Sequence, residues 1–380
     1  MPQYIYHYFT IIRNNKTILL IYGYIVYNVG MYLRKFNQPP ENIIKNGKAL
    51  FGAYEGIPER IDIRGMRAPY AGVPVPSFLS NLRIKSRLNY VFSIEKYFGM
   101  AEFFDFKIIG LGKLIFWNKE TGKRTVYNTI MPTRKRFVPN FTKRGICACY
   151  KKSRFLKISW GRNHQHHALS FNVKGDKVRP DATGYCYSPL KDDMHRDLLY
   201  VNPAPTSARC SATWITTMKI AGSLSANNEK IDDSEGLAFM VMNRTYFKMH
   251  SKTTMLCGMG NVKDRNIIFY LKTSNMDAAD SDKYNDNTLV IDGEPTALPP
   301  VYITHPFGID KKWIIQDTEN MVDLSFTPSS VYSNVLNLIA LRTSSNTLSG
   351  TLEGALLTKD GEKIILKNFY GIIHRNLLRL

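Results

Sequence analysis

The chain has 380 residues, of which 44% are hydrophobic and 12% aromatic. This is enough apolar surface for a folded core and excludes an intrinsically disordered protein. A chain of this length usually divides into more than one core, so we expect two packed halves. Five cysteines, an odd number spread over a long chain, exclude a disulfide-rich scaffold and favour a reducing, intracellular compartment.

The net charge of +20 is concentrated in the first half of the chain. Residues 1–179 contain 31 Lys and Arg against 9 Asp and Glu, a net charge of +22, whereas residues 180–380 have a net charge of −2. A basic half attracts phosphate-bearing partners, although it also serves solubility alone. We keep an anionic membrane surface as a candidate partner. Nucleic acid is the minority interpretation, because no zinc finger, RNP aromatic pair or KH loop accompanies the basic runs 133–137 and 150–157.

An uncharged stretch near the N-terminus, TILLIYGYIVYNVGMYL (17–33), is flanked by basic residues on both sides. As a helix it would be about 25 Å long, short of the roughly 30 Å hydrocarbon core of a bilayer. Its tyrosines and Asn28 suit a membrane interface better than a bilayer centre. We treat residues 1–36 as an N-terminal extension and leave open whether it attaches to a membrane or packs as a strand or helix.

From about residue 84, short apolar runs alternate with Gly, Asn and Lys turns. Strands at spacings of roughly 8 to 12 residues predict a mostly β chain of antiparallel barrels or sandwiches. The sequences IDGE (291–294) and KDGEK (359–363) indicate hairpin turns, because glycine adopts positive φ at little cost. Helical apolar spacing in FYGIIHRNLLRL (369–380) predicts a short C-terminal helix. The clearest strands are FLKISW (155–160), HHALSFNV (166–173), ATWITTMKIAG (212–222), IIFYLKT (267–273), MVDLSFTP (321–328), TLSGTLEGALLT (347–358) and KIILKNF (363–369).

Three stretches of the C-terminal half carry a family resemblance: DNTLVIDGE (286–294), VDLSFTP (322–328) and LSGTLEGALLTKDGEKIILKNFYGIIHR (348–375). They resemble a strand and turn, a Thr-Pro strand and the closing hairpin of domain of unknown function 2804 (DUF2804), a family of calycin-like barrels. The resemblance covers residues from about 42 to 380. It implies two lipocalin-like β-domains, which we place at 42–215 and 230–380, and a distant similarity to tocopherol cyclase and carotenoid hydratase, enzymes of large apolar isoprenoids.

The chain departs from the family pattern at one turn. The family has Gly-Arg-Gly followed by Trp-Pro, whereas this chain reads NRTYFKMHSKTTML (243–256). The resemblance matches Arg244 to the family's arginine and Phe247 to its first tryptophan, and it matches the polar strand that contains Asp286 and Asn287. We therefore predict these four residues as ligand-binding. For Arg244 and Asp286 two alternatives stay open, a structural ion pair or a site for an anionic head group.

Histidine is concentrated in GRNHQHHALSF (161–171), where His164, His166 and His167 suggest a metal site. Strand geometry argues against one. If this stretch and the two apolar runs before it form adjacent antiparallel strands, Cys147 and His166 lie about 14 Å apart, too far to share one zinc ion. His167 also points away from the other two, because successive side chains of a strand alternate. We predict no metal site and no cofactor.

Another candidate for acid–base chemistry is KDDMHRD (191–197), which contains three aspartates and His195. The Pro-rich segment NPAPTSARC (202–210) follows, so we interpret 191–197 as a solvated loop between the halves. The sequence contains no Gly-x-Ser-x-Gly elbow, Walker loop, His-Glu-x-x-His motif or dinucleotide fingerprint.

Together these features predict a two-domain, calycin-like protein that binds an apolar or lipid-like ligand. An isoprenoid or lipid hydratase- or cyclase-like enzyme is the first alternative, because such a pocket needs only a carboxylate and a few polar groups. A basic scaffold protein on a membrane or ribonucleoprotein surface is the second. The sequence leaves the ligand and the oligomeric state undecided.

Overall fold

A computed structural model describes the chain at residues 5–14, 17–26, 32, 34–70, 75–107, 109–132, 137–151, 154–161, 166–177, 179–189, 192–226, 229–338 and 341–379. The protein is almost all β, with 66% of the residues that the structure describes in strands and 2% in helix, arranged as two β domains. The predicted mostly β, two-domain class is therefore confirmed.

The N-terminal extension contains a hairpin that forms its own two-stranded sheet. The stretch 17–33 thus begins with a strand, one of the alternatives left open by the sequence. Within the residues described, no helix is both long and apolar enough to cross a membrane. Further along, Tyr32 donates to the Asp282 carbonyl at 2.6 Å, so the end of the extension packs on the second domain. The first strands are β1 (Ile5–Asn14), β2 (Thr17–Val26), β3 (Ile44–Lys45) and β4 (Lys48–Ala49).

The first large sheet has twelve strands and forms a nearly closed barrel. Its elements are β5 (Gly52–Glu55), α1 (Ser77–Leu82), β6 (Ile84–Ile94), β7 (Tyr97–Asp105), β8 (Ile109–Asn118), β9 (Arg124–Pro132), β10 (Arg144–Lys151), β11 (Arg154–Gly161), β12 (His166–Val173), β13 (Ala182–Tyr187), β14 (Arg196–Pro203), β15 (Cys210–Ala226) and β16 (Glu229–Tyr246). The strand order is β10-β11-β12-β13-β15-β16-β6-β7-β8-β9, and β14 joins β15 to β5. The predicted adjacency of β10, β11 and β12 is confirmed.

The second large sheet has nine antiparallel strands and curves into a half-barrel. Its strands are β17 (His250–Val262), β18 (Arg265–Ser274), β19 (Thr288–Ile291), β20 (Glu294–Ala297), β21 (Val301–Thr304), β22 (Trp313–Asp317), β23 (Val322–Leu338), β24 (Leu341–Leu357) and β25 (Lys363–Arg379). The order is β20-β19-β18-β17-β25-β24-β23-β22-β21, so the C-terminal strand β25 lies in the centre of the sheet.

The two sheets divide at residues 247–249, later than the predicted boundary between 215 and 230. That predicted linker lies inside the β15–β16 hairpin, whose strands pair along most of their length within the first sheet. The Pro-rich segment 202–210, which the sequence analysis placed next to a loop between the halves, contains the turn between β14 and β15 of the first sheet.

The predicted C-terminal helix at 369–380 is wrong, since residues up to Arg379 belong to β25. This strand is covered on both faces over its second half, where Ile372 and Ile373 are both fully buried. A strand buried on both faces reads as a continuous apolar run, which periodicity alone does not distinguish from a helix.

Large apolar clusters lie inside each domain and between the two domains. One fills the barrel and one fills the concave side of the second sheet. The third lies between the sheets, where Val91, Met100 and Ile115 on the outer barrel wall meet Cys257 and Ile372 of the second sheet. These five side chains are fully buried. Each large side chain removed from water contributes about 1.5–3 kcal/mol, so the two sheets form one packed body.

Candidate functional site

Polar side chains form a row on the barrel wall that faces the second sheet. Asn89 on β6 pairs with Glu102 on β7, and Glu102 pairs with Lys113 on β8. All three are buried, with Glu102 the most exposed at 7%. Directly paired residues project to the same side of a sheet, so these three side chains line up across three strands.

The second sheet supplies a matching row. Met255 on β17 pairs with His374 on β25, and His374 pairs with Thr347 on β24. His374 is 2% exposed and Thr347 is fully buried. Each residue of the first row contacts its counterpart in the second: Asn89 Nδ2 lies 3.7 Å from Met255 Sδ, Glu102 Oε1 lies 3.6 Å from His374 Nε2, and Lys113 Nζ lies 2.7 Å from Thr347 Oγ1.

The hydrogen bonds across the rows have a direction. An ammonium group only donates, so Lys113 donates to Thr347 Oγ1 at 2.7 Å. The Thr347 hydroxyl lies 2.9 Å from His374 Nδ1, and the tautomer of the ring determines which of the two groups donates. When the hydroxyl is the donor, a neutral imidazole carries its ring proton on Nε2, the atom that faces Glu102. We call this path from Lys113 through Thr347 and His374 to Glu102 the relay.

Burial sets the protonation of the relay. It lowers the pKa of Lys113 to about 8, although the Glu102 carboxylate favours the charged form. Burial also lowers the pKa of His374 in spite of Glu102. For Glu102, burial alone would raise the pKa, but the charges of His374, Arg87 and Lys113 outweigh burial and hold it well below its usual range. At neutral pH the relay therefore contains a carboxylate, a neutral imidazole and an ammonium that titrates close to physiological pH.

Several polar atoms of the cluster have unused hydrogen-bonding capacity. Within the part of the chain that the structure describes, Glu102 Oε1, His374 Nε2, Asn89 Oδ1 and Arg87 Nε make no hydrogen bond. Arg87 Nε lies 3.1 Å from Glu102 Oε1, close enough for an ion pair but not aligned as a hydrogen bond. An unsatisfied buried polar group costs about 1–3 kcal/mol, so each one requires an explanation such as a ligand.

Two cavities adjoin the rows. The first cavity has a volume of about 60 Å³ and brings Arg87, Asn89 and His374 to its polar end. Its remaining wall combines apolar and aromatic side chains, which include Val241, Phe247, Met255, Tyr270, Met276 and Ala278, with polar ones such as Asn243, Lys272 and Asp277. The second cavity has a volume of about 140 Å³ and is lined by Glu102 and Lys113, together with Asn128, Thr129, Ser345 and Asn376. The relay thus reaches from one cavity to the other, while the apolar cluster between the sheets lies beyond it.

A larger open groove of about 1100 Å³ lies at one end of the barrel. His195 Nε2 there lies 3.3 Å from Asp197 Oδ2, and Trp214 Nε1 donates to Asp197 Oδ1 at 2.8 Å. The hydrogen bond with Asp197 raises the pKa of His195. The His167 ring lies 6.0 Å from that of His195. The interpretation of 191–197 as a solvated loop is therefore wrong at its end, because Asp197 belongs to β14 and its carboxylate contacts the side chains of His195 and Trp214.

The structure separates the predicted pair Arg244 and Asp286, so the ion-pair hypothesis is wrong. Arg244 points into the barrel and donates to Ser86 Oγ at 2.9 Å and to the Val138 and Pro139 carbonyls at 2.8 and 2.7 Å. Asp286 lies on the other side of the barrel wall, where it accepts from Thr213 at 2.8 Å and from Lys272 at 2.6 Å.

The other two predicted residues have different surroundings. Phe247 lines the first cavity, so the sequence located one wall of it. Asn287 supports the backbone instead, since its side chain accepts from the Lys272 N–H at 2.8 Å and donates to the Pro299 carbonyl at 2.7 Å. A ligand-binding role for the four residues stays a prediction.

Among the described residues, no group of three His, Cys, Asp or Glu side chains lies close enough together to hold a metal ion. His164 and the side chain of His166 lie outside the described residues, so the histidine stretch is represented by His167 alone. His167 faces the groove rather than solvent.

Sequence reasoning missed the relay, although a signal for it was present. Glu102 in FGMAEFFDF, Lys113 in IIGLGKLIFW and His374 in GIIHRNLL are ionisable residues within largely apolar strands. Such residues are costly to bury and are therefore functional candidates. Their meeting depends on how the two sheets pack, which no local pattern encodes.

Comparisons with known proteins give a family and a set of distant structural likenesses. A family model described as "Domain of unknown function (DUF2804)" matches residues 51–379. No curated protein matches the sequence. The chain is similar to CghA in complex with Sch210972, at 9% identity and a TM-score of 0.41, over 77% of this chain and 87% of that one.

Two further solved structures are similar at the same level. An AttH-like protein from Nitrosomonas europaea shares 8% identity at a TM-score of 0.46, over 83% of this chain and 99% of the other. Kievitone hydratase from Nectria haematococca shares 11% identity at a TM-score of 0.38, over 80% and 94%. Likenesses this distant carry no argument about activity.

Proposed function

Because the chain belongs to the DUF2804 family, whose function is unknown, we propose its function from the buried interface itself: the protein binds an amphiphilic small molecule between its two β domains. The observation that carries this proposal is the first cavity, which combines an apolar and aromatic wall with a polar end of incompletely bonded groups. Ligand pockets generally have this composition.

The polar end defines the chemistry of the head group. Arg87 Nε is a donor without an aligned acceptor, and Asn89 Oδ1 is an acceptor without a donor. A hydroxyl or an amide both accepts and donates, so it satisfies the two atoms at once. The volume of about 60 Å³ suits such a head group. The apolar body of the ligand would then lie along Val241, Phe247 and Met255, in keeping with the predicted apolar or lipid-like ligand.

The relay favours a second candidate function, proton transfer to the bound molecule. In this proposed step, a ligand atom that reaches His374 Nε2 in place of its contact with Glu102 takes the Nε2 proton. His374 takes the Thr347 proton at Nδ1, and Lys113 restores the proton of Thr347. General acid–base catalysis of this kind contributes about 10²–10⁴-fold to a rate. It suits an isomerisation, a hydration or a dehydration, the reaction classes of the enzyme alternative predicted above.

Native mass spectrometry of the protein purified from its own cells tests binding. We expect a small molecule to remain with the wild type and to be lost from Asn89→Leu, which removes the acceptor at the polar end. Arg67→Met is the matched control, because the Arg67 side chain is exposed and distant in sequence from the cavity wall. Loss of the molecule from the control but not from Asn89→Leu would contradict the assignment.

Deuterium incorporation separates a binding protein from an enzyme. If the relay transfers protons, the retained molecule exchanges hydrogen with D₂O in the wild type and not in Lys113→Met or Thr347→Val. Exchange at the same rate in all three proteins would exclude the relay as the source of the proton. A wild type that carries no molecule would mean that the cluster is a structural contact between the domains.

A further inference from the structure

The outer face of β10–β13 lies away from the second sheet, and the proposed function does not involve it. Side chains of these strands alternate between the barrel interior, where Cys147, Ile158 and Leu169 are fully buried, and the outside. The outward positions carry aromatic residues and a lysine among small polar residues such as Ser170 and Thr183. We refer to Tyr150, Phe155, Lys157, Tyr185 and Tyr187 with their neighbours on β10–β13 as the outer face.

Aromatic side chains on this face are unusually exposed. Tyr150 is 51% exposed, Tyr185 49% and Tyr187 40%. They occur in two pairs: Tyr185 and Tyr187 are stacked with ring centroids 5.8 Å apart, and Tyr150 lies 5.1 Å from Phe155. Large apolar groups that remain exposed together on one surface mark an interaction site.

The strand register sets the spacing between the two pairs. Lys157 on β11 pairs with Ser170 on β12, which pairs with Tyr185 on β13. Lys157 and Tyr185 are therefore two strands apart, about 9.6 Å at the usual strand separation. On β11, Phe155 lies two residues before Lys157 on the same side. A lysine thus lies between two aromatic platforms, flanked by small polar residues.

Charge on these strands is of one sign. The sequences of β10, β11, β12 and β13 contain Arg144, Lys151, Arg154 and Lys157 and not a single Asp or Glu. They belong to the half of the chain with a net charge of +22. A partner that complements this face is therefore an anion that also offers flat apolar surfaces.

We propose that the outer face of β10–β13 binds single-stranded nucleic acid, with bases stacked on the Tyr185–Tyr187 and Tyr150–Phe155 pairs and a phosphate neutralised by Lys157. Sheets that present exposed aromatic residues beside cations bind single strands in this way, because every base has a face to stack and every nucleotide has a charge. Duplexes are excluded, because their bases are already stacked.

An anionic membrane is the competing occupant for a basic, aromatic surface. Membrane-binding surfaces insert apolar side chains into the acyl region. The outer face instead places Ser170, Asn172 and Thr183 between its two aromatic pairs. This alternation of aromatic, polar and basic groups matches the alternation of base and sugar-phosphate along a single strand, so the observations favour nucleic acid.

Fluorescence anisotropy with a labelled ten-nucleotide oligo-U RNA and the equivalent oligo-dT DNA tests the proposal. In low salt we expect the wild type to bind at least one of the two and the double variant Tyr185→Ala/Tyr187→Ala to bind at least tenfold more weakly, since each base stack contributes about 1–3 kcal/mol. Tyr185→Phe/Tyr187→Phe keeps the rings and should bind like the wild type. Tyr302→Ala is the matched control, because Tyr302 is 67% exposed on the second domain.

The contribution of Lys157 is measured separately, by the salt dependence of oligonucleotide binding. Each phosphate contact to a single strand adds about −0.7 to the slope of log K against log salt, so Lys157→Glu should make that slope shallower by about this amount. Lys367→Glu, an equivalent change at an exposed lysine of the second domain, should leave the slope unchanged.

The possible binding results either support the proposal or overturn it. Loss of oligonucleotide binding in the Tyr→Ala double variant, with retention in the Tyr→Phe double variant and in Tyr302→Ala, supports it. Wild-type protein that binds neither oligonucleotide overturns it, and so does binding that the Tyr→Ala double variant leaves intact. Binding to phosphatidylserine vesicles that the Tyr→Ala double variant abolishes, without oligonucleotide binding, would assign the face to a membrane. A dimer that the same variant dissociates would assign it to a second copy of the chain.

Discussion

Glu102 on β7 and His374 on β25 belong to different domains, yet Glu102 Oε1 and His374 Nε2 lie 3.6 Å apart in the buried interface. Neither residue makes this contact within its own sheet, because the opposite domain supplies His374 to Glu102 and Glu102 to His374. The relay therefore exists only while the two sheets are packed together, and its ionisation is linked to the stability of that packing.

Lys113 should give the stability of the protein a defined pH dependence. Its pKa falls from 10.5 to about 8 on folding. Between these values the unfolded chain holds a proton that the folded chain has released, so the free energy of unfolding rises with pH by up to about 3 kcal/mol from this group. Below pH 8 both states are protonated and the contribution is constant. Chemical denaturation of the wild type and Lys113→Met from pH 7 to 10.5 measures the difference.

Lys367→Met controls for the loss of a lysine as such. The Lys367 side chain is exposed, so the difference in the free energy of unfolding between Lys367→Met and the wild type should be independent of pH. If the difference in the free energy of unfolding between Lys113→Met and the wild type is also independent of pH across this range, Lys113 has the pKa of an ordinary surface lysine.

Trp214 should report the ionisation of His195 in the groove. The Asp197 carboxylate accepts a hydrogen bond from Trp214, and the same carboxylate raises the pKa of His195. We expect a change in tryptophan fluorescence with a midpoint above pH 6.5, and a lower midpoint in Asp197→Asn. Because the folded pKa is raised, the stabilising contribution of His195 is complete below 6.5 and is lost as pH rises through the folded value. An unchanged midpoint in Asp197→Asn would show that the two residues are not coupled.

Arg244 should be important for stability and not for ligand retention. Its hydrogen bonds to Ser86 and to the Val138 and Pro139 carbonyls would be lost in Arg244→Met, which leaves two buried acceptors unpaired. We expect a destabilisation of about 2–5 kcal/mol. Arg67→Met, at an exposed position, should change stability by less than about 0.5 kcal/mol. If Arg244→Met folded with wild-type stability and lost only the bound molecule, Arg244 would belong to the ligand site after all.

All five cysteines should be unreactive in the folded protein. Cys147, Cys149, Cys186, Cys210 and Cys257 are all buried. Burial raises the pKa of Cys186 and of Cys210 to about 12, so the reactive thiolate is scarce at neutral pH. Titration with Ellman's reagent should detect no fast-reacting thiol in the native protein and five in denaturant. A thiol that reacts within seconds in the native state would indicate an opening of the barrel.

Local features of the fold could be predicted from the sequence because local rules determine them. The IDGE turn is one example: Asp292 and Gly293 have φ of +47° and +84°, and they join β19 to β20 as a two-residue hairpin loop. Strand β12 is another, since the predicted run 166–173 has the observed bounds. The C-terminal helix failed because the chain around Ile372 is covered on both faces, which removes the alternation that identifies a strand.

The candidate site could be predicted only in part. Phe247 was located from the resemblance, whereas Glu102, Lys113 and His374 were not, because they lie on different strands and meet only when the two sheets pack. Arg244 and Asp286 were paired on the assumption that they share a side of the barrel wall. A shift of one position reverses the side on which a strand residue lies, and without the register that side is undetermined.

The protonation state of His374 tests the relay most directly. Long-range ¹H–¹⁵N NMR spectra of histidine-labelled protein at pH 7 distinguish the two neutral tautomers and the imidazolium by their ring-nitrogen shifts. The relay requires neutral His374 with the proton on Nε2 and with Nδ1 accepting from Thr347, and it requires Thr347→Val to change the Nδ1 shift. An imidazolium at pH 7, or a proton on Nδ1 that Thr347→Val leaves unchanged, would contradict the relay and the acid–base function built on it.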